Sequence, residues 1–407
     1  MNSALCKPGH DVLWWGMTFR EDIRHRLGPL ADKPHVAAAL TVLGEPGSIH
    51  AIPTPAAVLD LDAFDRNVAR MAERARAAGL ALRPHFKSHK TAALVRRQLE
   101  AGAVGVCCAK LAEAEALAAE GVGQILVTSP IAGPAAAARA AALAAALPDF
   151  RIVLDHPDAA AELAAAAQGP IQVVIDVDVG MGRTGCHDAE QAAAVARAVL
   201  AHPTLKLLGV QGYGGSWQHI EGANARAAAA AEGMKQLQAA IAAVRATGGT
   251  VEVVTGGGTG TFAADAAQGV LNEVQPGSFA FMDREYRDAL KSDPDGAFEQ
   301  SLTIHSTVIS ANHPKWVTID AGLKAFSTDG PTPQPLGERF AACAYRFFGD
   351  EHGMLSRPKD APVARGDRLA LTPGHIDPTL DRYDLMHLVQ GDVLVDIVRI
   401  EGRGASQ

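Results

Sequence analysis

The segment IQVVIDVDVGMGRTGCHDAEQAAAVARAVLAHPTLKLLGVQGYGG (residues 171–215) contains one complete strand–helix–strand unit. Ile171–Val177 and Leu205–Gln211 are apolar, β-branched runs typical of buried strands, and His187–Ala201 between them has helical composition and period. Two strands that are joined through a helix lie parallel in one sheet. The segment therefore predicts an α/β fold in which glycine-rich polar loops follow the strands.

The same alternation continues on both sides of this unit, so that eight apolar runs are separated by Ala- and Leu-rich stretches. Eight such units suit a closed (β/α)8 TIM-like barrel; an open, doubly wound sheet is the alternative, because a strand count does not prove closure. The predicted strands are Leu80–His85, Val104–Cys108, Gln124–Thr128, Arg151–Leu154, Ile171–Val177, Leu205–Gln211, Val251–Thr255 and Glu273–Phe279.

The pattern changes at both ends of the barrel segment. Residues 1–53 are a poorly patterned N-terminal extension, and residues 54–298 carry the predicted barrel. In residues 299–407, β-prone runs and turn-rich segments replace the helical stretches, which predicts a C-terminal, mainly β domain. The strand-like runs there are Ser301–Ser310, Trp316–Ile319, Arg368–Leu371 and Val393–Arg399.

Composition excludes several classes of protein. The chain has 407 residues, 48% of them apolar, and a net charge of −8, which argues against a nucleic-acid-binding surface. No apolar run reaches the roughly 18 residues that span a bilayer, and the N-terminus has no secretory pattern, so we expect a cytoplasmic protein without a membrane partner. An odd number of cysteines indicates reduced thiols. They are Cys6, Cys107, Cys108, Cys186 and Cys343.

Lys87 lies just past the first predicted strand, among His85, His89 and Lys90. Nearby cations and partial burial both disfavour the charged form of a lysine, and a neutral amine can form a Schiff base with an aldehyde. The alternative is a solvated basic loop. Lys87 is therefore a candidate for covalent attachment of a cofactor.

Three further loops carry candidate binding groups. Gly256-Gly257-Gly258-Thr259 could bind an anion through backbone N–H groups, and Arg183 could bind an oxyanion or a phenolic oxygen. His219 has the pKa range of a general base. A flexible turn, a salt bridge from Arg183 to Asp178, and a surface histidine are the respective alternatives.

The strongest metal candidate is the segment Pro373-Gly374-His375-Ile376-Asp377-Pro378. In an extended chain residues i and i+2 point to the same side, and Pro378 favours extended geometry at Asp377. One imidazole nitrogen and one carboxylate suit Mn²⁺ or Mg²⁺ better than a structural zinc, with water and substrate as the remaining ligands. A rigid turn with a hydrogen-bonded histidine is the alternative.

Seven segments occur along the chain in the order RPHFKSHK, DVGMGRTG, GYGGSWQH, VTGGGTGTF, NEVQPGSFAFMDREY, DAGLKAFSTDGP and PGHIDPT. Together they resemble the D-threonine aldolases, which stand with 3-hydroxy-D-aspartate aldolases and D-serine dehydratases among alanine-racemase-like, fold-type III pyridoxal-phosphate enzymes. The resemblance covers residues 53–402. An aspartate at 377, where the eukaryotic-type D-serine dehydratases have a cysteine, favours the aldolase branch.

The resemblance implies a barrel with a β domain, a homodimer, and a role for each candidate residue. Pyridoxal 5′-phosphate would be held by Lys87, its ring hydroxyl by Arg183, and its phosphate by the loop Gly256–Thr259. Tyr213 and Tyr286 are further expected cofactor contacts. His219 would be the base, and His375 and Asp377 the ligands of the divalent metal.

The implied reaction is retro-aldol cleavage of a D-β-hydroxy amino acid to glycine and an aldehyde. D-threonine-like, D-phenylserine-like and 3-hydroxy-D-aspartate substrates remain open. A metal-dependent D-serine or 3-hydroxyaspartate dehydratase is the nearer alternative, and it would release ammonia and a keto acid. The more distant alternative is a non-catalytic pyridoxal-phosphate carrier, which would need neither the β domain nor the metal motif.

Overall fold

The computed structural model describes residues 19–291, 298–358 and 362–407. Residues 1–18, which include Cys6 and the beginning of the predicted N-terminal extension, lie outside the described residues. The other cysteines are free, buried thiols, as the sequence predicted. Within the described residues, no helix combines the length and the apolar character that crossing a membrane requires.

The chain forms two compact units. One contains most of the barrel segment, from Asn67 to Ala280, with the described part of Tyr286–Phe298 and the final residues 404–407. The other contains the described residues up to Arg66, a short segment at Phe281–Glu285, and the described part of Glu299–Arg403. The units therefore interleave along the chain, whereas the sequence predicted contiguous domains with boundaries after residues 53 and 298.

The first unit contains eight parallel strands, one for each strand that the sequence predicted. Neighbouring strands pair in chain order from the second to the last, and the last also pairs with the first, Ala81 opposite Glu273. The strands are Ala81–Leu82, Val106–Cys108, Ile125–Val127, Arg151–Leu154, Ile171–Val177, Leu205–Gly212, Val253–Gly256 and Glu273–Val274.

Hydrogen bonds between the first and second strand regions close this sheet into a barrel. Val104 N donates to Leu82 O and Cys107 N donates to Pro84 O, each at 2.8 Å. A parallel bridge between His85 and Cys107 continues the same ladder. The closed (β/α)8 barrel is thus confirmed, and the doubly wound alternative is excluded.

Helices follow the barrel strands, as parallel connections require. Local capping places some of their ends; for example, the Asp188 carboxylate accepts the N–H of Gln191 at 2.8 Å. The helix Leu61–Ala77 precedes the first barrel strand. The helices that follow barrel strands are Ala92–Glu100, Leu111–Ala119, Pro134–Ala146, Pro157–Ala166, Ala189–Leu200, Ala223–Ala246, Phe262–Gln268 and Arg284–Leu290.

A cluster of buried side chains from six consecutive strands forms part of the barrel core. Cys107 belongs to this cluster, and burial raises the pKa of its thiol well above the usual value. The cysteine is therefore a small packing residue of the barrel core. The cluster comprises Cys107, Leu126, Val153, Val174, Leu208 and the partly buried Val253.

The second unit is built on a mainly antiparallel sheet, which confirms the predicted β domain. Its central strand Ala56–Asp60 pairs antiparallel with Leu302–Ser310 and parallel with Leu385–Gln390. The strands of this sheet are Ala56–Asp60, Leu302–Ser310, Trp316–Ile319, Gln334–Pro335, Tyr345–Phe347, Gly353–Ser356, Arg368–Thr372, Leu385–Gln390 and Val393–Arg399.

Residues 19–51, which the sequence left unpatterned, form the helices Phe19–Leu27 and Pro34–Thr41 with short 3-10 turns. Their apolar residues pack on the β unit. Because the apolar faces are short and separated by turns, no single window shows a clear period. The buried apolar cluster that these helices form with strands of the second unit comprises Ile23, Leu27, Ala31, Val36, Ala39, Leu40, Leu43, Ile52, Ala56, Val58, Leu385, Val389, Leu394 and Ile397.

Candidate functional site

The candidate cofactor lysine lies on a 3-10 turn, Phe86–Ser88, directly after the first barrel strand. The N–H of Lys87 donates to His85 Nδ1 at 3.4 Å, so the imidazole caps the turn. His85 Nε2 is 3.2 Å from Thr128 Oγ1, and Thr128 Oγ1 donates to Cys108 O at 3.1 Å. His85 therefore connects the turn that carries Lys87 to the ends of two neighbouring strands.

The cations that the sequence placed beside Lys87 have their own partners. Lys90 Nζ lies 3.9 Å from the buried carboxylate of Glu113. His89 Nδ1 accepts the N–H of Thr91 at 3.2 Å, and its Nε2 lies 3.3 Å from Gln98 Oε1. Glu113 therefore offsets the charge of Lys90 beside the turn that carries Lys87.

The glycine-rich loop begins at the end of the strand Val253–Gly256 and leads into the helix Phe262–Gln268. Gly257 has a φ of +68°, and a Cβ there would lie 2.5 Å from Asp265 Oδ2. A side chain at this position would thus be strained and would clash with a buried carboxylate. Thr259 Oγ1 accepts the N–H of Phe279 at 3.0 Å, which leaves the hydroxyl hydrogen of Thr259 as a donor.

Arg183 is exposed on the loop after Ile171–Val177, and its guanidinium carbon lies 5.7 Å from the ring centre of Tyr213. The sequence offered a salt bridge to Asp178 as an alternative. Asp178 Oδ1 instead accepts the N–H groups of Gly180, Met181 and Gly182 at 2.8–3.0 Å. Arg183 and Tyr213 line one small cleft together with Asp176, Gln211 and other residues of these two strand ends.

A buried hydrogen-bond network lies behind this cleft. Gln211 Nε2 donates to Asp176 Oδ1 at 2.8 Å and to Thr128 O at 3.0 Å, and Gln275 Nε2 donates to Gln211 Oε1 at 3.1 Å and to Thr255 Oγ1 at 3.0 Å. Burial raises the pKa of Asp176 to about 6, against hydrogen bonds from Gln211 and Thr184. Both amides are thereby held in one orientation.

Gln211 and Gln275 were not among the residues predicted from the sequence. The available signal was a polar residue inside an otherwise apolar strand run. Such a residue is expensive to bury unless it has hydrogen-bond partners, and the partners come from other strands that no local pattern identifies.

His219 is exposed on the loop after Leu205–Gly212, and its ring packs against Tyr286 with the ring centres 4.7 Å apart. The buried guanidinium of Arg226 holds both elements, because it donates to Ile220 O at 2.6 Å and to Ala289 O at 3.2 Å. Two residues predicted separately, His219 and Tyr286, therefore lie side by side.

The candidate cofactor groups share one end of the barrel. Lys87, Arg183, Tyr213 and the loop Gly256–Thr259 each follow or end a strand, and parallel strands end on the same side. The segment 276–279 also links the lysine turn to the glycine loop. A Cβ on Gly277 would lie 3.3 Å from His85 Cβ and 3.4 Å from Ser88 Cβ, and Phe279 N donates to Thr259.

The predicted extended geometry at the metal motif is wrong. His375 is extended, with φ −137° and ψ 129°, but Asp377 lies in the first turn of the helix Ile376–Leu380. Pro378 does not prevent this, because the N–H groups of a first helical turn have no intrahelical acceptor and the missing N–H of proline costs nothing there. The local pairing of i and i+2 therefore does not describe these two side chains.

The surroundings of His375 nevertheless suit a cation. Burial alone would lower the pKa of His375, but the charges of Asp377, Asp283 and Asp329 outweigh burial and raise it. His375 Nδ1 lies 2.8 Å from Asp329 Oδ2, and the N–H of Ile376 donates to Asp283 Oδ2 at 3.0 Å. A histidine that donates from Nδ1 to a carboxylate presents Nε2 as a metal ligand.

Among the described residues, no group of three or more His, Cys, Asp or Glu side chains is arranged to hold a metal ion. The donor set at His375 and Asp377 still fits a hard divalent ion that keeps water ligands, since both oxygen and nitrogen donors are present and no thiolate is. Asp329 and Asp283 were not predicted; Asp329 lies in the segment DAGLKAFSTDGP, whose role the sequence alone did not indicate.

Comparison with known proteins gives consistent matches along the chain. Residues 59–285 match the family described as alanine racemase, N-terminal domain, and residues 301–389 match a putative serine dehydratase domain. A 3-hydroxy-D-aspartate aldolase from Paracoccus denitrificans (strain Pd 1222) is 36% identical over 364 residues, which is 87% of this chain and 92% of the relative.

A D-threonine aldolase from an Arthrobacter species is 35% identical over 374 residues, which is 91% of this chain and 98% of the relative. The crystal structure of a D-threonine aldolase from Filomicrobium marinum superposes with a TM-score of 0.84 at 34% identity, covering 88% of this chain and 98% of that one. The chain therefore belongs to the alanine racemase-like family that includes D-threonine aldolase and 3-hydroxy-D-aspartate aldolase, and it is an enzyme of the lyase class.

Proposed function

We propose that this enzyme cleaves the Cα–Cβ bond of a D-configured β-hydroxy amino acid and releases glycine and an aldehyde. Pyridoxal 5′-phosphate on Lys87 and a divalent metal, Mn²⁺ or Mg²⁺, at His375 and Asp377 are the proposed cofactors. D-threonine-like, D-phenylserine-like and 3-hydroxy-D-aspartate substrates are all compatible with the proposal.

The observation that carries the proposal is the gathering of an amine, an arginine and a glycine loop at one end of a closed barrel. Lys87 follows one strand, Arg183 follows another, and Gly256–Thr259 ends a third. An aldehyde, a ring oxygen and a phosphate are three groups of one ligand, pyridoxal phosphate, and these three protein groups match them in kind.

The fit of the cofactor phosphate depends on glycines, because side chains at these positions would fill the space beside the backbone. A Cβ on Gly256 would lie 2.0 Å from Gly212 O, and a Cβ on Gly258 would lie 2.5 Å from Gln218 Oε1. Only glycine leaves the backbone of this loop bare and close to its neighbours, which is what an N–H cradle for an anion requires. When bound, pyridoxal phosphate supplies an electron sink for the electron pair released by bond cleavage.

The protein's own residues have three tasks in this proposal. Lys87 binds the cofactor covalently, while His85 fixes the backbone of its turn. His219 accepts the proton of the substrate β-hydroxyl, and the packing against Tyr286 orients its ring. His375 and Asp377 would hold the divalent metal, which would supply Lewis-acid catalysis.

The direct test is a product assay with a panel of D-β-hydroxy amino acids, in the presence of pyridoxal 5′-phosphate and Mn²⁺. We expect equal amounts of glycine and the corresponding aldehyde, with the L-enantiomers as matched controls that react much more slowly. Formation of ammonia and a keto acid without glycine would reject aldol cleavage.

β-Elimination by a dehydratase is the second candidate, favoured by the match of residues 301–389, which contain His375 and Asp377, to a putative serine dehydratase domain. The same assay separates the two functions, because D-serine and 3-hydroxyaspartate would then give ammonia. The homodimer and the cytoplasmic location expected from the sequence remain predictions; light scattering of the purified protein tests the first.

A further inference from the structure

Gln218 is fully buried, with no exposed surface, although it lies in a polar loop directly before the exposed His219. Burial of an amide is unfavourable unless its hydrogen bonds are satisfied. The partners of this side chain lie 42 and 43 residues further along the chain, at Gly260 and Thr261 in the glycine-rich loop.

The amide of Gln218 is satisfied in one orientation only. Its Nε2 donates to Thr261 Oγ1 at 2.8 Å and to Gly214 O at 3.3 Å, and its Oε1 accepts the N–H of Gly260 at 2.8 Å. Because a backbone N–H only donates and a backbone carbonyl only accepts, rotating the amide by 180° would break the contacts with both Gly260 and Gly214.

Two glycines of the loop are required by this contact. A Cβ on Gly258 would lie 2.5 Å from Gln218 Oε1, and a Cβ on Gly260 would lie 2.2 Å from Gln218 O. The second approach is to backbone, so no side-chain movement can relieve it. The composition of the glycine run is therefore set partly by its packing against Gln218, in addition to any bound anion.

The hydrogen bonds of Gln218 continue through Thr261 to Asp265, beneath the glycine-rich loop. Thr261 Oγ1 donates to Asp265 Oδ2 at 2.5 Å, and Asp265 also accepts the N–H of Gly258. On the other side of His219, Ile220 O is held by Arg226 at 2.6 Å. Both chain neighbours of His219 are thus anchored, one to the glycine loop and one to a buried arginine.

We propose that Gln218 is a positioning residue that couples binding at the glycine-rich loop to the placement of His219. The inference rests on the proposed function in assigning the phosphate to this loop and the proton transfer to His219. Ordering of Gly257–Thr261 by an anion stabilises the Gln218 hydrogen bonds, and these restrict the loop that carries His219.

Amide hydrogen exchange tests the coupling without relying on turnover. In the wild-type protein, pyridoxal 5′-phosphate should slow exchange in residues 213–220 as well as in residues 256–262. Gln218→Ala should abolish the slowing in residues 217–220, which lie beyond the expected cofactor contact Tyr213, and should leave the slowing in residues 256–262. In the cofactor-free protein the same variant should speed exchange in both loops about threefold to tenfold, since each lost hydrogen bond contributes on the order of 1 kcal/mol.

Two further variants guard against misfolding as the explanation. Gln218→Glu keeps the shape but loses the donor to Gly214 O, and Thr261→Val removes the hydroxyl between Gln218 and Asp265 with little change in volume. Both should speed exchange in residues 213–220. Gln236→Ala, on the exposed face of the helix Ala223–Ala246, is the matched control and should change neither loop.

Kinetics distinguish positioning from a merely structural role. If Gln218 acts through His219, Gln218→Ala lowers kcat about tenfold in the wild-type background and less than about twofold in a His219→Ala background. Equal losses in both backgrounds, or unchanged exchange in residues 213–220 of cofactor-free Gln218→Ala, overturn the inference. A wild-type protein that does not bind the cofactor refutes the proposed function instead, while the cofactor-free exchange still decides the role of Gln218.

Discussion

The barrel end and the surroundings of His375 differ in whether burial or neighbouring groups determine the pKa values of their polar side chains. Behind the barrel cleft, amides and hydroxyls satisfy one another, and burial raises the pKa of Asp176 to about 6 and that of Asp265 to about 7. Around His375, hydrogen bonds and opposite charges outweigh the effect of burial. The pKa of Asp329 is therefore lowered, and the pKa of the His375 imidazole is raised. Burial thus disfavours the ionised form of the carboxyls in the first region, whereas neighbouring charges and hydrogen bonds favour the ionised forms in the second.

This difference matches two kinds of ligand. A buried network with fixed amide orientations can hold in place loops whose backbone N–H groups bind an anion such as a phosphate. Several carboxylates around one imidazole create a negative potential that favours a cation. The two regions are therefore suited to different parts of the proposed chemistry, and each can be perturbed separately.

The largest expected effect comes from the lysine of the barrel end. Lys87→Ala removes the amine that binds the cofactor, so we expect complete loss of turnover and loss of the absorbance near the visible edge that the bound cofactor shows. Absorption spectra of the purified protein, recorded after incubation with pyridoxal 5′-phosphate and removal of the unbound cofactor, check this. A variant that keeps the band would refute the assignment, and Lys90→Ala, whose amine lies near Glu113, is the control that should keep it.

Removal of the metal should have the next largest effect. It should affect the His375 region and leave cofactor binding at the barrel end unchanged. Exhaustive chelation is expected to lower turnover by about 10³-fold or more, because a Lewis acid supplies several kcal/mol of stabilisation. Cofactor absorbance should remain, since the cofactor groups belong to the barrel. Turnover that survives chelation would show that His375 and Asp377 hold no catalytic ion; restoration by Mn²⁺ is the positive control.

A smaller loss of activity is expected from the candidate base. His219→Ala should lower kcat by about 10²-fold, the usual size for loss of a general base. Steady-state kinetics at several pH values measure this effect, and the acidic limb of the wild-type profile should disappear in the variant. An unchanged rate would leave His219 as a loop residue that only packs against Tyr286.

The smallest effect concerns stability and the carboxyl beneath the glycine loop. Burial raises the pKa of Asp265 to about 7 from an ordinary 3.8, against hydrogen bonds from Thr261 and Gly258. The folded state therefore holds a proton that the unfolded state loses first. The associated stability is fully present below pH 3.8 and is lost as the pH rises through about 7.

Asp265→Asn should remove this pH-dependent loss of stability. The free energy of unfolding of the wild type, relative to the variant, should fall by about 1 kcal/mol or more between pH 5 and pH 8. Denaturant titrations at a series of pH values measure the difference, and the contribution of Asp176 cancels because both proteins contain it. A pH-independent difference would show that Asp265 is ionised throughout this range; Asp158→Asn, at an exposed site, is the control.

The sequence by itself determined the order of strands and helices in the barrel, because buried parallel strands are apolar throughout and the helices between them are long enough to show a period. It also identified Lys87, Arg183 and the glycine loop as candidates, since polar and glycine-rich segments directly after such strands stand out. The helices in residues 19–51 were not predicted because they are too short to show a period. The geometry at Asp377 was mispredicted because the sequence does not distinguish a proline in a first helical turn from one in an extended chain.

Only the tertiary structure decided which distant groups satisfy the buried polar side chains. Gln218 with Gly260, Gln211 with Asp176, and His375 with Asp329 are pairs separated by 35 to 46 residues. Chain closure over such distances leaves no trace in local composition, because hydrogen bonding is directional and is fixed by the packing of whole elements rather than by neighbours in sequence.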